Sequence, residues 1–158
     1  MKVGIVFYSY SGNTRRVAEI FRDELAKSNQ VDLLEIKALD ESRNFFMQCL
    51  RARRKTRAKI EDIKFDLSDY DLVMFGTPVW AFEPAPALWT YFDKCSGIKD
   101  KKTVLFITYG SGSGKGHALA HMEKAVREKG AREVKNIQIQ QFKVKDQAYV
   151  SNELKNNL

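Results

Sequence analysis

Apolar residues fall into short dense runs along this chain, with amphipathic stretches between them. Residues 3–7, 72–75 and 103–108 are nearly continuous in apolar and β-branched side chains, as expected of strands covered on both faces. Residues 31–36 form a fourth run, and residues 134–139 alternate, which predicts a half-exposed edge strand. Helical spacing fills the gaps. Asn13 or Thr14 is placed to cap a helix with Val17, Ile20, Phe21 and Leu25 on one face. Phe45, Phe46, Cys49 and Leu50 give an apolar stripe to a second helix, which continues into a basic stretch. Pro84 and Pro86 suit the first turn of a third, with Leu88, Trp89 and Phe92 inward. A fourth spans 115–128, carries Leu119, Met122, Ala125 and Val126, and is closed by Gly130. A weak last helix covers 146–154.

Strand and helix alternate five times. That order predicts an α/β fold: a doubly wound, five-stranded parallel sheet with right-handed crossovers and helices on both faces. No repeat, low-complexity tract or linker interrupts it, so residues 1–158 read as a single domain.

Charge changes the picture in one place. The segment 43–59 holds Arg43, Arg51, Arg53, Arg54, Lys55, Arg57 and Lys59 and no acid. Those seven account for the whole surplus of 27 Lys and Arg over 20 Asp and Glu. Two readings fit: a surface for an acidic partner, or a solvated helix whose last turn carries cations that suit its dipole. The run lacks interleaved aromatics, which argues against nucleic acid. Cys49 and Cys95 stand alone without metal-ligand spacing, so no metal site is expected. Lone thiols, no apolar stretch long enough to span a bilayer and no leader pattern point to the cytoplasm.

Open parallel sheets bind ligands beyond the carboxyl ends of their strands. Three loops meet that condition. Ser9, Tyr10, Ser11, Gly12, Asn13 and Thr14 follow the first strand, combining hydroxyls, an amide, a glycine and a helix start. This is either an anion-binding nest or a plain capped turn. Residues 76–82 follow the third strand with Thr77, Pro78, Val79 and Trp80. That indole either lies against a planar ligand or packs under its own loop. Residues 109–116 include Tyr109, Gly110, Ser111 and Gly112. They fail the Walker pattern, because Gly116 follows Lys115, and the dinucleotide pattern, because Lys115 and His117 stand where glycine is needed. What is left is a flexible, backbone-donating wall. No catalytic acid–base pair stands out: Glu83 reads as a helix-start charge and His117 as a surface or capping residue.

With these three loops in place, the chain resembles the short-chain flavodoxin family along essentially its whole length. The resemblance implies strand order 2-1-3-4-5 and one non-covalent FMN. Ser9, Ser11, Gly12, Asn13 and Thr14 would hold its phosphate, Trp80 would lie on a ring face, and backbone N–H groups near Gly110 and Gly112 would meet the pyrimidine. The chain departs from the family in three ways. It is basic where flavodoxins are acidic. Ser113 and Gly116 stand where the third loop usually carries an acid and a stacking Tyr. Arg15 and Arg16 follow the phosphate loop, either attracting phosphate or facing solvent.

The function expected from the resemblance is electron transfer to a redox protein partner, an acidic one given the charge. Two alternatives stand beside it. One is an FMN-dependent NAD(P)H:quinone or flavin oxidoreductase with one ring face left open. The other is a flavin-free protein-binding module that works through segment 43–59. The oligomeric state is not written in the sequence.

Overall fold

The computed structural model describes residues 1–158. Five parallel strands make the sheet: β1 (Lys2–Tyr8), β2 (Gln30–Ile36), β3 (Leu72–Trp80), β5 (Lys102–Tyr109) and β6 (Glu133–Gln140). Their order is β2-β1-β3-β5-β6. A sixth strand, β4 (Glu83–Pro84), folds back antiparallel on β3, pairing Val79 with Pro84 and Trp80 with Glu83. The five-strand expectation is therefore corrected to six. Two residues give no periodicity to read, and the hairpin exists only because β3 runs on past the expected end at 75. Pairing drives that extension: residues 72–78 lie in register with 102–108 of β5, so Gly76, Thr77 and Pro78 are strand rather than loop.

Side chains alternate across the sheet and feed two cores. Val3, Ile5, Phe7, Met74 and Phe106 face α1 (Asn13–Leu25) and α5 (Gln147–Asn157), which contribute Val17, Phe21, Val150 and Leu154. Val6, Val73, Phe75, Leu105 and Ile107 face the other way, onto α3 (Pro86–Lys94) and α4 (Lys115–Glu128). The expected inward residues of α3 and α4 are buried except Ala125, which is half-buried against the same core, and Gly130 follows α4 at φ 88°.

The second helix departs from expectation. α2 (Phe45–Arg53) starts at an Asn44 cap and ends before the basic stretch does. Its buried residues are Gln48 and Ala52, whereas Phe45 is 52 % and Phe46 73 % exposed. Gln48 tolerates burial because its amide oxygen accepts from Arg51. Pro84 lies in β4, so Pro86 alone begins α3, and Cys95 stands at the C-terminal cap of that helix. No helix is long and apolar enough to cross a membrane.

Candidate functional site

β1, β3 and β5 end on one edge of the sheet at Tyr8, Trp80 and Tyr109, and the segments that leave them enclose a cavity of about 510 Å³. That is the size range of small-molecule and cofactor sites. Tyr10, Ser11, Asn13, Thr14, Pro78, Val79, Trp80, Tyr109, Gly110, Ser111 and Gly112 all line it. Ser9, Gly12 and Thr77 do not, and each has a supporting role instead. The Ser9 hydroxyl accepts the Arg15 N–H at 3.2 Å. Thr77 Oγ1 accepts the Ala85 N–H at 3.0 Å and fastens the β3–β4 hairpin. Gly12 is the residue before α1, at φ 93°, a conformation that a side chain rarely adopts.

Neither Asn13 nor Thr14 caps α1. Gly12 at the cap position has no side chain to offer and Ser9 takes only the Arg15 N–H, so the N–H groups of Asn13 and Thr14 meet no acceptor within the chain. These orphan donors and the positive end of the helix dipole sit at the cavity wall, which suits a phosphate. The Thr14 hydroxyl is buried and shares a 2.8 Å hydrogen bond with Thr108 Oγ1. One hydroxyl hydrogen satisfies that bond, so the other is left for a ligand oxygen. Arg15 turns away and is held by Glu35, while Arg16 is exposed. No charged residue lines the cavity.

The ring end is aromatic. Trp80 lines the cavity and is only 5 % exposed, packed among neighbouring rings. Tyr8, Tyr10 and Phe45 meet its ring edge-to-face at 5.8, 5.3 and 5.8 Å. Burial, followed by the hydrogen bond to Glu41, raises the Tyr8 pKa and keeps that phenol protonated. The exposed aromatic rings at the mouth are Phe45 and Phe82, which sequence reasoning missed along with Cys49 and Gln141. Phe82 sits in a two-residue hairpin turn with Ala81, at φ 72° and 47°. A bulky residue there is strained and persists only where neighbours hold it. Its ring lies so close to Gly114 that a Cβ added there would fall 1.8 Å from Phe82 Cδ1. The second and third loops are thereby packed together.

Glu83 does not act as a helix-start charge. It is 8 % exposed, accepts from His121 Nδ1 at 2.8 Å and lies 3.9 Å from Lys55 Nζ. It does not line the cavity. The basic segment is divided: Arg51 pairs with Asp40 and Arg57 with Asp93, whereas Arg43, Arg53, Arg54 and Lys59 enter no ion pair. No group of His, Cys, Asp and Glu is arranged to hold a metal ion.

A phosphate-bearing planar cofactor fits this chemistry: uncharged donors and the two free N–H groups that open α1 at one end, aromatic rings at the other. Solved structures agree on the fold. A flavoprotein in complex with FMN from Lactobacillus acidophilus is 22% identical, with 93% of this chain and 98% of that chain covered and a TM-score of 0.65. A flavodoxin from the domain Archaea is 18% identical, with 98% and 99% covered and a TM-score of 0.62. An azoreductase from Bacillus anthracis is 16% identical, with 99% and 96% covered and a TM-score of 0.62. No curated protein sequence matches the chain. The family model described as NADPH-dependent FMN reductase matches residues 1–143. The chain belongs to that family and is a flavodoxin-like protein whose cofactor is FMN.

Proposed function

We propose that the chain, acting as a single domain over residues 1–158 in the cytoplasm, is an FMN-dependent oxidoreductase reduced by a pyridine nucleotide. The observation that carries this reading is the open ring end of the cavity. Beyond Tyr109 the third loop supplies only Gly110, Ser111, Gly112 and Ser113 to the wall, and Phe45 and Phe82 line the mouth while staying exposed. Family membership supports the same reading. FMN, when bound, would supply the two-electron redox chemistry, with the pyridine nucleotide as reductant.

The chain's own residues bind, orient and enclose. Ser11, Asn13 and Thr14, with the first N–H groups of α1, would hold the phosphate, while Ser9 and Gly12 set the backbone that presents them. Thr77 would hold Pro78, Val79 and Trp80 in place, with Tyr10 and Trp80 giving the ring an apolar wall. Tyr109, Gly110, Ser111 and Gly112 would offer backbone donors to the pyrimidine edge, the Gly110 carbonyl being tied to Gln140 at 3.3 Å. No side chain is assigned a catalytic proton transfer.

A second reading, the electron carrier, is favoured by one feature. Phe45, Phe46 and Met47 form an exposed apolar patch beside the mouth, with Arg43 two positions before it and Arg53 at the end of the same helix, which suits an acidic redox protein. The flavin-free module loses its basis once FMN is the cofactor. Anaerobic mixing of the FMN-loaded protein with NADPH or NADH separates the first two. Bleaching of the flavin band by either nucleotide supports the oxidoreductase. Reduction by a protein donor alone supports the carrier and rejects the first reading.

A further inference from the structure

Beside the flavin cavity lies a second cleft of about 500 Å³, lined by Arg53, Phe82, Glu83 and His117. The two share Phe82. Their chemistry is opposite. The flavin cavity has no charged residue in its wall, whereas two of the four residues of the cleft are ionisable side chains of high charge, Arg53 and Glu83.

Glu83 is not available to a ligand. Its Oε2 is taken by His121 at 2.8 Å, and Lys55 Nζ stands 3.9 Å from Oε1. Arg53 is available. It is exposed, enters no ion pair, and its guanidinium lies 5.9 Å from the centre of the Phe82 ring. His117, also exposed, meets the same ring at 6.5 Å from the other element, the first turn of α4, which contains no acid. An unpaired guanidinium and an imidazole thus flank one aromatic ring, with the carboxylate of the cleft already satisfied.

A molecule that reaches both spaces needs a flat uncharged part for the first and an anionic part for the second. Resting on the oxidoreductase reading above, we propose that this cleft binds a phosphate group of the pyridine-nucleotide donor, with Arg53 as its principal ligand. Two phosphates of the donor share that chemistry, the 2′-monoester found only in NADPH and the pyrophosphate common to NADPH and NADH. A guanidinium fork recognises either.

The test uses the FMN-loaded protein and two fragments that cannot reduce flavin, adenosine 2′,5′-bisphosphate and ADP, titrated by calorimetry. Wild-type protein should bind at least one, and Arg53→Ala should weaken that binding about tenfold or more, the loss of one charge-assisted contact. Loss confined to adenosine 2′,5′-bisphosphate assigns the 2′-phosphate; equal loss for both fragments assigns the pyrophosphate. Arg54→Ala, exposed next door and outside the cleft, should leave both affinities within about twofold, which separates a site from diffuse attraction. FMN affinity should be unchanged in both variants, and Arg53→Lys should restore part of the binding. Unchanged fragment affinity in Arg53→Ala, or equal losses in Arg53→Ala and Arg54→Ala, overturns the proposal. Failure of both nucleotides to bleach the wild-type flavin is a separate result, and it would reject the oxidoreductase reading instead.

Discussion

Replacing Thr14 by Val probes the hinge between fold and site. The Thr14 and Thr108 hydroxyls are buried and 2.8 Å apart, joining the start of α1 to the end of β5. Valine keeps the shape and removes the bond. A buried hydrogen bond contributes about 1 kcal/mol net, and the stranded Thr108 hydroxyl adds a desolvation cost of about 1–3 kcal/mol. Thr14→Val should therefore destabilise the flavin-free protein by about 2 kcal/mol, or ~4–8 °C in Tm for a chain of this length. Thr108→Val should cost a similar amount by the same logic. The double variant strands no hydroxyl, so it should cost about 1 kcal/mol rather than the sum of about 4. Urea unfolding followed by the fluorescence of the buried Trp80 and Trp89 reads all three. FMN must be absent, since binding to the folded state would mask the differences. Costs that add to within ~0.5 kcal/mol would refute the reasoning, because additivity means the two hydroxyls are not coupled.

Three other expectations are more local. A Cβ on Gly76 would fall 2.0 Å from Phe106 Cζ, so Gly76→Ala should destabilise by about 1–3 kcal/mol or prevent folding; an unchanged urea midpoint would contradict it. Burial pushes the Cys95 thiol up to about 11 and raises that of Cys49, but Cys49 lines the flavin cavity. Iodoacetamide should then modify Cys49 slowly in the native protein, more slowly with FMN, and Cys95 only on unfolding; mass spectrometry of digests that finds Cys95 labelled first would contradict this. Burial works against the Glu35 carboxylate, but hydrogen bonds from Arg15 and Lys37 outweigh it and lower its pKa. The stabilisation is complete above the unfolded value of about 4.3 and is lost as pH falls through the depressed folded value. Glu35→Gln should flatten that acid limb of the stability curve, and an acid limb identical to wild type would reject the link.

The strands that are buried on both faces were legible because burial leaves an unbroken apolar run, as at 3–7 and 103–108. α4 was legible at both ends because its stripe and Gly130 are local signals. The convergence of three loops followed from strand direction alone. What escaped was decided by contacts between distant segments. β3 continues through Gly76, Thr77 and Pro78 because β5 lies beside it, and nothing local in that tripeptide says strand. Phe45 and Phe46 read as an inward stripe, yet Gln48 and Ala52 are the residues of α2 that face the core. Phe82 reached the mouth through a positive φ in a turn that ordinary residue preferences would give to glycine or asparagine. Glu83 and His121 are 38 positions apart, and only the β3–β4 hairpin brings them together.

The central claim is that the loop 9–14 and the first two N–H groups of α1 hold a phosphate. Comparing FMN with riboflavin, which lacks only that group, tests it most directly. Quenching of flavin fluorescence gives both affinities on the wild-type protein. Two charge-assisted hydrogen bonds to the phosphate predict FMN about 100-fold tighter than riboflavin, with Ser11→Ala and Thr14→Val each narrowing the gap. Equal affinities, or a gap that neither substitution changes, would contradict the assignment of that loop.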